Sequence, residues 1–455
     1  MIRQVVDRRE MSKYVEALRD CLDAPELQDA TARAANTVPG TGDPVTKLRA
    51  ALPPVEPQLA SSGARTTNVA PFMSRDPIQS LMQSTLEGKL REKGVTPEEA
   101  PAHRGPLAWL VHLIESILHP VRFGPDDPNW VIDVGGAVLD RLARGNHPFN
   151  PVPAEHEIAD DARVVIVGDW GTGLPRARAV AEHMAEEVAQ ALAEGREAHV
   201  VHLGDVYYSG MEEEVRHHML APGRWPVTLE QASAGVTSWS LNGNHDMYGG
   251  GFGYFETLLG DERFSKQQSP DGKATSYFRL RSPSWDIVAL DTSWSSDVLS
   301  SGFVGVLEDP QAAYAARVAG ESERKLMLLS HHQPISVYDT EDLGPTLLKE
   351  LDPVLKDGRV TAWLWGHEHR CMGFGEADGV KVPRCIGHGG VPVLMTHTPE
   401  EEIPEPGLWQ ECGFSEYRGD HWGRMGFAIL DFAGERIEVR YRDEQGSTSR
   451  EETIE

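Results

Sequence analysis

Six short apolar runs, spread along the chain after residue 160, limit the folds open to this sequence more than any other feature. They are Arg163 to Val167, Ala198 to Leu203, Thr237 to Leu241, Trp285 to Leu290, Leu326 to Leu329 and Thr361 to Trp365. Each is apolar almost throughout, as strands covered on both faces should be. Helical patterns fall between them, as in Pro175 to Glu194, where Gly195 supplies a stop. Strands alternating with helices imply a layered α/β domain. Gly426 to Arg442 then alternates about Ala433-Gly434-Glu435, which predicts a hairpin closing that domain.

The chain before residue 161 reads differently. Helical patterns at Ser12 to Leu22, Leu107 to Leu118 and Val138 to Leu142 are separated by Pro-, Gly- and Thr-rich stretches such as Asn36 to Leu59. This gives a mostly helical, partly irregular N-terminal region over 1–160, whose role the sequence does not state. A Pro- and acid-rich linker, Asn146 to Ile158, leads into the second domain, expected over 161–445.

Composition narrows the function classes. Hydrophobic residues make up 40% and charged residues 25% of the 455, ordinary usage for a folded globular protein. A formal net charge of −27 disfavours nucleic acid and anionic membranes as partners, since both are held mainly by Lys and Arg. The four cysteines, Cys21, Cys371, Cys385 and Cys412, have no CxxC spacing, so neither a disulfide framework nor a cysteine zinc site is expected. Met1 to Leu22 reads as a charged amphipathic helix without the apolar stretch of a secretory signal, and no run is long enough to span a bilayer. A cytoplasmic location is the expectation.

Five of the six runs end in polar clusters: Gly168-Asp169-Trp170-Gly171, Gly204-Asp205-Val206-Tyr207-Tyr208, Gly243-Asn244-His245-Asp246, Ser330-His331-His332 and Gly366-His367-Glu368-His369. Ligands bind at the carboxyl ends of strands in α/β sheets, so clusters scattered in sequence converge in space. Carboxylate, amide oxygen, imidazole and phenol without thiol suit hard or borderline cations. A glycine before each ligand allows a sharp turn and close backbone approach. The donors suffice for two ions, with one carboxylate as a bridge.

In this ordered set the chain resembles the calcineurin-like metallophosphoesterase superfamily, over roughly 161–442, and within it the purple acid phosphatase branch. Most superfamily members open with DxH. Here Asp169-Trp170-Gly171 gives DxG, and Tyr208 in a GDxxY motif matches the missing histidine. The resemblance implies a β-sandwich flanked by helices and two metal ions, Fe with Fe, Mn or Zn. One ion would take Asp169, Asp205, Tyr208 and His369; the other would take Asp205, Asn244, His367 and a histidine from His331-His332. The family pattern, a ligand two residues before proline, points to His332, whereas strand register points to His331, which is preferred. His245 is implied as phosphate contact or proton donor to the leaving group, with Asp246 orienting its ring.

Two adjacent cations would clamp the phosphoryl oxygens and lower the pKa of a bound water, giving hydroxide as the in-line nucleophile. The expected activity is hydrolysis of a small phosphate ester, monoester or diester. The alternatives are a nuclease of the same superfamily and a catalytically weak metal-binding interaction module. Among the remaining residues, Tyr207 and Trp170 are expected to pack, His202 to be a core histidine, and His217 and His218 to lie on a solvated face. His388, in a Gly-rich loop, is a substrate-contact candidate.

Overall fold

The computed structural model describes residues 144–296, 304–337, 345–395, 402–417 and 420–455, with Ala137 and Arg141. The helices expected at Ser12 to Leu22, Leu107 to Leu118 and Val138 to Leu142 lie outside the described residues, Arg141 apart. The chain divides into two compact units, 1–145 with 417–420 and 146–416 with 421–455. All elements named below belong to the second.

Fourteen of its strands build two sheets. In chain order they are β1 (Ala154–Glu157), β2 (Arg163–Val167), β3 (Ala198–His202), β4 (Thr237–Ser240), β5 (Phe278–Arg281), β6 (Trp285–Leu290) and β7 (Lys325–Ser330). There follow β8 (Val360–Trp365), β9 (Cys371–Phe374), β10 (Val380–Ile386), β11 (Gly407–Gln410), β12 (Gly426–Ala433), β13 (Arg436–Asp443) and β14 (Thr448–Ile454). The eight-stranded sheet runs β1-β5-β6-β7-β8-β10-β9-β11, and the six-stranded sheet runs β14-β13-β12-β2-β3-β4. Each sheet holds a parallel run: β2, β3 and β4 at one side of the six-stranded sheet, and β6, β7 and β8 in the middle of the eight-stranded one.

All six apolar runs are therefore strands, matched to within a residue or two. The reason lies in their alternation. Val164 and Ile166 of β2 join Ile287 and Ala289, Met327 and Leu329, and Ala362 and Leu364 in one core. The intervening residues Val288, Leu290, Leu326, Leu328, Trp363 and Trp365 face the other way, into a second core with Tyr314, Ala315 and Val318 of helix α2 (Asp309–Glu321). Helix α1 (Pro175–Ala193) starts with Pro at N1 and buries Val180, Met184 and Val188; Gly195 at φ +75° follows it. The fold is a layered α/β sandwich, as expected.

Three details depart from the sequence. The supposed linker 146–158 contains β1, which pairs with β5 in parallel at the sheet edge. Its prolines, Pro148, Pro151 and Pro153, all precede the ladder, which an edge strand tolerates. The predicted domain end at 445 cuts off β14, whose residues are mostly exposed and so lack an apolar signal; only Ile454 enters the core. His218, expected in solvent, is buried with Nδ1 on the Tyr207 carbonyl at 2.8 Å. Among the described residues no helix is long and apolar enough to cross a membrane.

Candidate metal centre

The loops that leave the carboxyl ends of β2, β3, β4, β7 and β8 carry the residues of the polar clusters within a few positions of each strand's end; only His331 follows its strand directly. Four of these residues carry left-handed backbone: Asp169 (φ +56°), Asp205 (φ +75°), His367 (φ +67°) and His369 (φ +49°). Among the described residues only one other non-glycine, Asp378, has positive φ. Each such position costs on the order of 1–3 kcal/mol and persists where surrounding structure holds it, commonly at functional sites. Of the glycines before these residues, Gly204 turns at φ +107°, as expected, and the others do a further job. They mainly give room: a Cβ on Gly243 would lie 1.9 Å from Asp205 Oδ1, and one on Gly366 would lie 2.7 Å from Asp169 Oδ2.

The side chains converge in two adjoining groups that share Asp205. In the first, Tyr207 Oη lies 2.9 Å from Asp169 Oδ1, 3.0 Å from Asp205 Oδ2 and 2.7 Å from His369 Nε2. In the second, His331 Nε2 lies 3.0 Å from Asn244 Oδ1, 3.1 Å from His367 Nδ1 and 3.4 Å from Asp205 Oδ2. Supporting bonds fix which atoms face inward. His331 donates Nδ1–H to the Leu203 carbonyl at 2.9 Å, so the neutral ring turns the Nε2 lone pair to the centre. Asn244 donates its amide nitrogen to Tyr248 Oη at 2.9 Å, which turns Oδ1 inward. The backbone N–H groups of His367 and His245 hold Asp169 Oδ2 and Asp205 Oδ1 at 2.7 and 3.0 Å.

Lone pairs thus face lone pairs. His331 Nε2, Asn244 Oδ1 and the ionised Asp205 Oδ2 have no hydrogen to share, and Tyr207 has one for two carboxylates. Burial and the neighbouring Asp169 and Asp246 carboxylates raise the Asp205 pKa well above the usual range. Burial and neighbouring histidines hold His331 and His367 far below theirs, keeping the imidazoles neutral. Crowded acceptors, one buried carboxylate pressed towards protonation and neutral imidazoles are what a cation relieves, and the O/N donor set fits a hard or borderline one.

Several expected residues sit elsewhere. The phenol in the cluster is Tyr207's; of Tyr208, the main chain is engaged, its N–H on Glu214 and its carbonyl on His245 Nδ1. Neighbouring residues of this loop send their side chains different ways. Asp246 does not orient the His245 ring. Its carboxylate accepts the backbone N–H groups of Gly243, Asp205 and Val206, bracing two ligand loops, and burial pushes its pKa up to about 7. His245 is instead fixed through Tyr208, with Nε2 at 3.9 Å from Asp205 Oδ2. His388 is buried in a cleft beside His369, lined also by Arg370 and Arg424. His202 and Trp170 are core residues, as expected, the latter bonding the Ala177 carbonyl. Sequence reasoning did not single out Tyr248, or Thr292 after β6, the fourth of the apolar runs.

Residues 162–371 match the family described as calcineurin-like phosphoesterase. They form a calcineurin-like phosphoesterase domain. Tartrate-resistant acid phosphatase type 5 of Oryctolagus cuniculus is 27% identical over 308 residues, covering 63% of this chain and 88% of that protein. The Homo sapiens protein of the same name is 25% identical with the same coverage. These relatives accord with the purple acid phosphatase-like branch that the DxG and GDxxY motifs suggest. A solved structure titled "GAP50 the anchor in the inner membrane complex of Plasmodium" is similar over 64% of this chain and 88% of its own, at 15% identity and TM-score 0.43, too distant to bear on the site. The calcineurin-like phosphoesterase domain makes this chain a metal-dependent hydrolase of phosphoric esters.

Proposed function

We propose that the chain hydrolyses small phosphate monoesters at a dinuclear metal centre bridged by Asp205. One ion would be held by Asp169, Asp205, Tyr207 and His369, the other by Asp205, Asn244, His331 and His367. The observation that carries this is the position of Asp205 Oδ2, 3.0 Å from Tyr207 Oη and 3.4 Å from His331 Nε2, where one oxygen serves both groups. When bound, two such ions supply charge for the phosphoryl oxygens and activate water. The chain's own residues do the rest. Asn244 and His331 are held in orientation by Tyr248 and Leu203, and His245, anchored at Nδ1, presents Nε2 to hold or move a proton at the leaving oxygen. With a net charge of −27 the protein repels anions overall, so a phosphate ester needs this local positive charge, and a polyanionic nucleic acid is disfavoured.

Tyr207 replaces Tyr208 as the phenol expected to bind an iron ion and give it a visible charge-transfer band. Purified protein loaded with Fe, Mn or Zn should contain two ions per chain and turn over an aryl phosphate faster than a bis-aryl phosphate or single- or double-stranded DNA. His245→Ala should lower turnover by about 10²-fold with metal content intact. Tyr207→Phe should abolish the band while Tyr208→Phe leaves it. No metal uptake, or preferential cleavage of DNA, would sink the proposal.

A further inference from the structure

The centre contains two consecutive histidines, and their hydrogen bonds give them opposite tautomers. His331 Nδ1 faces the Leu203 carbonyl, which only accepts, so Nδ1 carries the hydrogen and Nε2 the lone pair. His332 Nδ1 faces the Thr292 hydroxyl at 2.9 Å. That hydroxyl already accepts the backbone N–H of His332 at 3.1 Å, and among the described residues its own hydrogen has His332 Nδ1 as the acceptor within reach. Ser293 Oγ is farther from the same nitrogen, at 3.4 Å, and has the Asn242 carbonyl for its hydrogen. A hydroxyl donating to Nδ1 leaves the ring hydrogen on Nε2.

Thr292 is held firmly for this task. It follows β6 in a turn where Asp291 Oδ1 accepts the N–H groups of Ser293 and Trp294, and Gln311 bonds both the N–H and the carbonyl of Asp291. Thr292, Ser293 and His332 are all fully buried. The His332 ring lies 4.6 Å from that of His367, and one nitrogen each of His331, His332 and His367 lies within 4.8 Å of the others. A lone pair is what an ion takes; an N–H is what an anionic oxygen takes.

We infer that His332 is a substrate-binding residue rather than a metal ligand: its Nε2–H donates to a phosphoryl oxygen of the ester, and Thr292 is the positioning residue that sets this tautomer. The inference rests on the two-ion proposal, and its own content is the division of labour between adjacent histidines. Each member of the pair then has its own use, since one imidazole cannot offer a lone pair to an ion and an N–H to the phosphate from the same atom.

The test compares His331→Ala, His332→Ala, Thr292→Val and Thr292→Ser in metal-loaded protein. His332→Ala should keep two ions per chain while the Kd for inorganic phosphate, read by calorimetry, and the KM for an aryl phosphate rise about tenfold. Thr292→Val, of similar shape, should raise both less and leave the ions in place, and Thr292→Ser should restore wild-type values. His331→Ala should lose about one ion. Loss of an ion from His332→Ala, or unchanged phosphate affinity in it, overturns the inference. A wild-type chain that takes up no metal would overturn the two-ion proposal instead. In that case ¹⁵N histidine spectra of the metal-free protein still decide the tautomer: hydrogen on His332 Nε2 supports the assignment, and hydrogen on Nδ1 refutes it.

Discussion

The two sheets contribute unlike halves to the centre. Strands β2, β3 and β4 of the six-stranded sheet lead into the oxygen donors Asp169, Asp205, Tyr207 and Asn244, whereas β7 and β8 of the eight-stranded sheet lead into the imidazoles of His331, His367 and His369. Each half is unfavourable alone. The oxygen half gathers buried carboxylates, and Asp205 is pushed towards protonation; in the imidazole half, burial and neighbouring histidines hold His331 and His367 neutral. Under the two-ion proposal, their meeting would turn two incompatible sets of acceptors into one set of ligands, so the centre depends on how the sandwich closes as much as on either sheet.

The strongest way to break this comparison is Asp205→Asn, because Asp205 touches both halves. It should cost both ions and at least about 10²–10³-fold in turnover, checked by metal content and aryl phosphate kinetics. Retention of one ion at full occupancy would show that the halves do not share it. Gly243→Ala attacks the same residue from behind, since the new methyl would stand 1.9 Å from Asp205 Oδ1. The expected cost is roughly 1–3 kcal/mol of stability, with weaker metal uptake, seen as a lower Tm and a lower ion count. A variant as stable and as metal-rich as the parent would mean that the β4 loop moves aside.

One-sided changes sharpen the comparison further. His369→Ala should empty the tyrosine-bearing position and His331→Ala the asparagine-bearing one, each leaving close to one ion per chain. If iron is present, its visible band should vanish in the first variant and persist in the second. Equal loss of both ions in either would make the two positions one cooperative unit.

How far this was legible follows from which atoms carry the signal. Strand runs were readable because residues such as Val164, Ile287 and Leu329 lie between covered faces, and burial on both sides leaves an uninterrupted apolar record. Edge strands β1 and β14 left none, since half or more of their residues face water. The polar clusters were readable because five of them follow apolar runs in order, whereas a single Asp after a strand is more often a turn or a helix cap. The choice between Tyr207 and Tyr208 was not, because it depends on how the loop after Asp205 turns, and that loop is fixed from a distance by Asp246, Glu214 and His218. The part of Asp246 was misjudged for a related reason: its partners are backbone N–H groups, which every sequence has and no motif records.

The smallest expected effect separates the halves by how their ligands are supported. His331 is oriented by the Leu203 carbonyl, which no side-chain substitution removes, but Asn244 is oriented by the Tyr248 hydroxyl. Tyr248→Phe keeps the ring and deletes the one acceptor that tells the Asn244 amide which end to turn inward. With that preference gone, nitrogen competes with oxygen for the inward position, and affinity at the asparagine-bearing position should fall by about tenfold while the tyrosine-bearing position keeps its own. Chelator competition read separately for each ion measures this. Unchanged affinity would mean that the ion itself orients Asn244, and equal weakening of both positions would return the effect to Asp205, which the oxygen half shares with its partner.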